Sequence, residues 1–282
     1  MPTLEDYKGR IPAWCPGCGN FSILKAFNEA MVELSIEPHE FLIVSGIGQA
    51  GKFPHYTKCN TFNGLHGRTL PVATGVKLAN HKLKVFAVAG DGDCYGEGGN
   101  HLVHAIRRNL DIKLFVHDNQ IYGLTKGQAS PTTMKGIVTK TQPFGIFSEQ
   151  FNSITLAVAL NCSFVARGFA GDIDHLKTLI KEAVNHKGFS LIDILQPCVS
   201  FNKINTFDWY KQRVYKLDES YNPTDREVAF KKSLEWGDRI PLGVIYKTER
   251  PIFEEQFPVI KDFVLVKQKF NLNISEILQE FY

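Results

Sequence analysis

Apolar residues along this chain fall into short β-branched and aromatic runs, separated by stretches with helical spacing. Phe41–Ser45 (FLIVS), Phe164–Ala166 and Leu191–Leu195 read as buried strands. Phe21, Leu24, Phe27, Met31 and Leu34 recur at helical intervals and predict a helix over Phe21–Leu34. Further helices are expected over Arg68–Asn80, starting near Pro71, and over Ser153–Asn161 and Ile173–Asn185. The most informative stretch is Val85–Asn119. It begins as an apolar run, breaks into Gly90-Asp91-Gly92-Asp93, passes through a helix-like segment and returns as a second apolar run ending in Asp118-Asn119. That is the pattern of a βαβ unit. The alternation predicts an α/β fold with a doubly wound, mostly parallel sheet.

After about residue 200 the texture changes, so we divide the chain into an α/β domain (1–200) and a C-terminal extension (201–282), packed on that domain or on a partner. Within the extension, Thr224 to Glu227 forms a capping box opening a helix through Trp236. Ile240–Tyr246 is extended, Phe263–Val266 an edge strand, and a last helix starts near Ser275. Residues 129–148, rich in Ser, Thr, Pro and Gly, form a long loop of the kind that is often functional.

A net charge of +3 without a dense basic run excludes nucleic acid as an expected partner. Neither a signal-peptide core nor a membrane-length apolar run is visible, so a cytoplasmic protein with no membrane association is expected. With 44% hydrophobic residues over 282 positions the chain can bury a full core. Six cysteines in such a setting point away from a disulfide framework.

In parallel sheets ligands sit beyond the carboxyl ends of the strands, so Asp91 and Asn119 should face one crevice. A carboxylate and an amide oxygen, with the Ile121 carbonyl, suit a magnesium ion that also holds phosphates. Gly90 and Gly92 would let the backbone approach a bound group. Cys15-Pro16-Gly17-Cys18 with Cys198 suits one metal or one corner of a cluster, and zinc and iron–sulfur fit equally at this point. Cys162 is expected in the core, and Cys94 packed near the acidic turn. His66, Lys52 and Lys126 are candidates for catalytic contacts, although an isolated lysine is ordinarily just solvated.

Taken together, Trp14–Asn20 (WCPGCGN), Ser45–Gly48 (SGIG), Leu65–Arg68 (LHGR), Gly90–Asp93 (GDGD), Gly98–His101 (GGNH), Asp118–Gln128 (DNQIYGLTKGQ), Cys198 and Glu235–Gly243 resemble the β subunit of the 2-oxoacid:ferredoxin oxidoreductases. The resemblance spans roughly residues 11–246 and implies a thiamine diphosphate-binding fold, thiamine diphosphate with Mg2+, and a [4Fe-4S] cluster. By it, Asp91, Asn119 and Ile121 hold magnesium, and Gly92, Asp93, Gly123 and Leu124 line the diphosphate. Ile47, Gly48, Gln49, Ala50 and His66 contact the cofactor, Lys52 and Lys126 meet substrate or coenzyme A, and Cys15, Cys18 and Cys198 hold the cluster. One position departs: Gln49 stands where the family usually has a cysteine. Cys59 is the nearest spare thiol and is expected to be the fourth ligand; the rival is a cluster with three cysteines, or none.

The implied reaction is coenzyme A-dependent oxidative decarboxylation of a 2-oxoacid to acyl-CoA and CO2, with electrons leaving through the cluster to ferredoxin. No glutamate stands in a recognisable pyrimidine-activating setting, so an alpha (or fused gamma/alpha) subunit is expected to supply one, and this chain alone to be inactive. The alternatives are a thiamine diphosphate-dependent decarboxylase subunit without a cluster, or a zinc-stabilised, non-catalytic binding module.

Overall fold

The fold is that of a computed structural model, which describes residues 1–269 and 274–281. In chain order the elements are α1 (Gly19–Glu33), β1 (Phe41–Ser45), β2 (Asn60–Asn63), α2 (Thr69–Ala79), β3 (Lys84–Gly90), α3 (Gly99–Arg108) and β4 (Ile112–Asp118). After a long loop come α4 (Ser153–Ala159), β5 (Phe164–Phe169), α5 (Ile173–Asn185) and β6 (Ser190–Leu195). Then follow α6 (Phe207–Lys211), β7 (Val214–Lys216), α7 (Arg226–Ser233) and β8 (Ile240–Lys247). Three short helical segments, Phe253–Gln256, Pro258–Lys261 and Ile274–Gln279, end the described chain.

The described strands form one sheet in the order β2-β1-β3-β4-β6-β5-β8-β7. Every neighbouring pair is parallel except β5 with β8. The sheet is wound from both sides because successive strand residues feed opposite faces. Val85, Ala87 and Ala89 of β3 join Leu102, Ile106 and Ile154 in one core. Phe86 and Val88, between them, join Phe27, Met31, Leu176 and Ile180 of α1 and α5 in the other. Cys94 and Cys162 are both buried in the first core.

The region after residue 200 contributes β7 and β8 to this same sheet, with β8 closing on β5. Three expectations there are corrected. Asp225, not Thr224, caps α7, its carboxylate accepting from the Glu227 and Val228 amides at 3.0 and 3.1 Å. An aspartate one residue closer outcompetes the threonine, whose hydroxyl turns back to Asn222. The helix stops at Ser233 rather than Trp236. Phe263–Val266 is not a strand; Leu265–Lys267 forms a single tight turn, with Phe263 and Val266 exposed.

No helix among the described residues is long and apolar enough to cross a membrane. Gly75 lies exposed within α2, and a methyl group there would meet nothing within 4 Å. Gly75→Ala is therefore expected to stabilise the chain by about 0.5–1 kcal/mol, because alanine loses less backbone freedom in a helix. A denaturant titration checks this; an unchanged or lower midpoint would contradict it.

Candidate functional site

Four neighbouring parallel strands deliver the candidate residues to one edge of the sheet. Gly46–Ala50 follow β1, Asp91–Asp93 follow β3, Asn119–Leu124 follow β4, and Gln196–Cys198 follow β6. The chain leaves β1 toward β2 on one side and β3 on the other, so the strand order reverses at this point. Open α/β sheets offer a crevice at such a switch. A cleft of about 70 Å3 occupies it. Ile47, Gly48, Gln49, Ala50 and His66 line one side, and Asp91, Gly92 and Asp93 the floor. Asn119, Ile121, Tyr122, Gly123 and Leu124 line the other side.

Asp91 is buried, and its carboxylate accepts hydrogen bonds from Ser130 Oγ and from Thr132 Oγ1 at 2.6 Å. The same Thr132 hydroxyl lies 2.7 Å from Asp118 Oδ1. One hydroxyl donates one proton, so one of these two carboxyl groups must itself be protonated. Asp118 is that group: burial first, then the charges of Asp193 and Asp91, push it well above the usual carboxylate range. Asp193, also buried, receives Tyr95 Oη at 2.6 Å and Ser153 Oγ at 2.7 Å and has the buried Arg167 as its counter-charge. Asp91 is pushed up to about 6 chiefly by burial, and no cation among the described residues pairs with it. A buried carboxylate in that position is suited to a metal ion. Beside it, Asn119 Oδ1 takes the Ile121 amide at 3.0 Å, which folds the Asn119–Ile121 turn over the cleft.

Asp93 ties three loops together. It accepts from the Ile47 amide at 3.1 Å, the Gly67 amide at 2.8 Å and Thr69 Oγ1 at 3.1 Å. His66 Nδ1 stands 3.2 Å from the same carboxylate and 3.1 Å from Glu97 Oε2. Gly92 has a further reason to be glycine. A Cβ there would fall 2.2 Å from the Tyr122 ring, so glycine makes room for that ring, whose hydroxyl reaches Glu97 at 3.2 Å.

A second, smaller cavity adjoins the cleft. Cys15, Cys18 and Cys198 line it together with Trp14, Gln49 and Gln196, while Asn119 and Gly123 are shared with the cleft. Burial, with the nearby Cys198 and Cys15, pushes the Cys18 thiol up to about 11. Gln196 Nε2 donates to Cys18 Sγ at 3.4 Å. Among the described residues no three His, Cys, Asp or Glu side chains converge on a single metal position. Cys59, the expected fourth ligand, does not line this cavity. It lies at the start of the turn into β2, its sulfur facing the Thr57 carbonyl at 3.8 Å and the Ile43 backbone, and burial pushes it up to about 12.

Lys126 is exposed and lines a separate cavity of about 320 Å3 with Lys140 and Lys203. Lys52 lines neither that cavity nor the cleft, so the structure does not bring it to the candidate site. Reasoning from the sequence missed Ser130 and Thr132, which hold Asp91, and Asp193, Arg167 and Tyr95 behind them. The only advance signal was the Ser/Thr-rich composition of the 129–148 loop.

A family model for the thiamine pyrophosphate enzyme C-terminal TPP binding domain matches residues 46–194, and one for the C-terminal part of the beta subunit of pyruvate ferredoxin oxidoreductase matches residues 198–262. A 2-oxoacid:ferredoxin oxidoreductase subunit beta from Sulfolobus sp is 47% identical over 273 residues, covering 90% of both chains. That of Saccharolobus solfataricus is 44% identical over 291 residues, covering 95% of both. The solved 2-oxoglutarate:ferredoxin oxidoreductase from Magnetococcus marinus, with 2-oxoglutarate, coenzyme A and succinyl-CoA bound, superposes with a TM-score of 0.92 at 34% identity. The match covers 100% of this chain and 96% of that one. With such identity over nine-tenths of its length, the chain belongs to the family of 2-oxoacid:ferredoxin oxidoreductase beta subunits.

Proposed function

We propose that this chain carries half of a thiamine diphosphate site, completed by an alpha subunit. In this reading it serves the coenzyme A-dependent oxidative decarboxylation of a 2-oxoacid, with ferredoxin as electron acceptor, in the cytoplasm. The observation that carries the reading is the uncompensated Asp91 carboxylate at the β1/β3 switch point, with Asn119 and the Ile121 carbonyl beside it. These three hard oxygen donors would hold magnesium. Gly92, Asp93, Gly123 and Leu124 would line the diphosphate, and Ile47–Ala50 and His66 would contact the remainder of the cofactor. When bound, thiamine diphosphate supplies the carbanion that adds to the keto carbon and the electron sink for decarboxylation.

The chain's own residues then do the positioning. Asp93 fixes the Ile47 and Gly67 backbones, so the wall that carries Ile47 and His66 keeps its place against the floor of the cleft. Tyr122 packs its ring against Gly92. Lys126, with Lys140 and Lys203, offers positive charge for coenzyme A or the substrate carboxylate. Cys15, Cys18 and Cys198 would carry an iron–sulfur cluster beside the cleft. A cubane cluster takes one thiolate per iron, so these three thiols would serve three of its corners. Among the described residues no glutamate lines the cleft, which supports supply of the activating carboxylate by the partner.

Purification of the complex under anaerobic conditions, followed by thiamine diphosphate titration and ferredoxin reduction assays, tests the proposal. Binding should require Mg2+, and a 2-oxoacid should reduce ferredoxin only when coenzyme A and both subunits are present. Aldehyde release without ferredoxin reduction would overturn it in favour of a simple decarboxylase. Stoichiometric zinc without thiamine diphosphate binding would leave only a binding module.

A further inference from the structure

We infer that the thiol cavity holds its cluster on three thiolates, with the Gln49 carboxamide oxygen facing the fourth iron, and that this iron is removable. The inference rests on the cluster reading above and sharpens it at one corner. Gln49 lies at the end of the loop after β1, where its carbonyl accepts from Trp14 Nε1 at 2.8 Å. That bond joins the loop to the segment bearing Cys15 and fixes Gln49 as a wall of the thiol cavity. Its Oε1 is buried and has no hydrogen-bond partner among the described residues. A buried amide oxygen is ordinarily paired, so an orphan on a residue that lines the thiol cavity marks a place where another atom is wanted.

One other carboxamide oxygen on this cavity, Gln196 Oε1, is likewise buried and unpartnered among the described residues. Cys59, the only spare thiol near in sequence, is directed toward the backbone of Thr57 and Ile43 instead. Gln196 shares the cavity, but its amide nitrogen is committed to Cys18 Sγ and, at 3.0 Å, to the Pro197 carbonyl. Gln196 thus acts on a thiolate rather than in place of one. A neutral carboxamide oxygen is a harder and weaker iron ligand than a thiolate. The three thiolate-bound irons should therefore outlast the fourth. Gln49 also lines the cofactor cleft, so the weakly held corner is the one turned toward it.

The chemistry that reveals such a corner is a balanced one-electron oxidation. A [4Fe-4S]2+ cluster gives one electron to ferricyanide and releases one Fe2+, leaving [3Fe-4S]+. With the alpha–beta complex prepared anaerobically, ferricyanide titration should remove one iron per cluster while the EPR signal of [3Fe-4S]+ grows. Ferrous ion with dithionite should reverse both. The Gln49→Cys complex should keep all its iron through the same titration and show no such signal, and Cys59→Ser should behave as the unmodified complex does. Full retention of iron with no [3Fe-4S]+ signal in the unmodified complex would overturn the inference while leaving the cluster reading intact. Loss of iron on Cys59→Ser alone would also overturn it. Absence of iron and sulfide from the purified complex would sink the cluster reading itself.

Discussion

Asp91→Asn is expected to weaken Mg2+-dependent thiamine diphosphate binding by more than about 100-fold and to abolish turnover of the complex, yet to leave the cofactor-free chain at least as stable as before. Even residues that only support a metal ligand typically cost about 10–100-fold in metal affinity when replaced, so loss of a ligand charge should exceed that range. The stability half of the prediction follows from the surroundings. Asn keeps an oxygen to receive the Ser130 and Thr132 hydroxyls. What disappears is a buried negative charge beside Asp118 and Asp193, with Arg167 as counter-charge to Asp193 and, among the described residues, no cation for Asp91. Burial pushes Asp91 up to about 6, so ionising it in the folded, cofactor-free chain at neutral pH costs about 3 kcal/mol. Replacing it removes up to that cost. Calorimetric titration of the cofactor and thermal unfolding without it read the two halves separately. A merely structural Asp91 would give the opposite pair of results: little change in binding and a lower unfolding temperature.

Much of the frame behind that site was legible in advance because buried strands advertise themselves. FLIVS and the apolar runs on either side of Gly90–Asp93 are covered on both faces of the sheet, so they read as continuous apolar stretches. The rule that ligands lie beyond strand carboxyl ends was then enough to put Asp91 and Asn119 in one cleft. Strand β2 was not legible. Its residues, Asn60–Asn63, are all exposed on the sheet edge, and their pairing with β1 leaves no apolar trace. That same stretch explains where Cys59 lies. The chain makes a tight turn over Ala50–His55 and runs away from the cleft to the sheet edge, carrying Cys59 with it. Proximity along the chain could not reveal that Gln49, before the turn, stays at the thiols. Nor could it reveal Thr132, whose hydroxyl bridges Asp91 and Asp118 across a loop without regular structure.

Gly46→Ala is expected to damage both halves of the site at once, lowering cofactor affinity and the iron retained by the complex, and to cost about 2–4 kcal/mol of folding stability. The reason is a single close approach. A Cβ on Gly46 would stand 1.8 Å from Asp93 Oδ2 and 2.5 Å from its Cγ, so the carboxylate must move. Asp93 cannot move alone, because the Ile47 and Gly67 amides and Thr69 Oγ1 are bonded to it inside the protein. Displacing it strands buried donors on two loops and shifts the segment that carries Gln49 into the thiol cavity. The loop has no slack in the other direction, since the Gly46 carbonyl is already packed where a Cβ on Gly51 would be, at 2.3 Å. Gly48→Ala is the internal comparison. Nothing lies within 4 Å of its Cβ position, but its φ of 119° is strained for any residue with a side chain, at a cost on the order of 1–3 kcal/mol. Gly48→Ala should therefore lower the unfolding temperature while leaving Asp93 in place. Comparing unfolding temperature, thiamine diphosphate affinity and iron content for the two variants separates a clash at Asp93 from simple loop strain. If Gly46→Ala lowers the unfolding temperature no more than Gly48→Ala does and keeps full cofactor affinity, then Asp93 is not what holds the Ile47–His66 wall to the floor of the cleft.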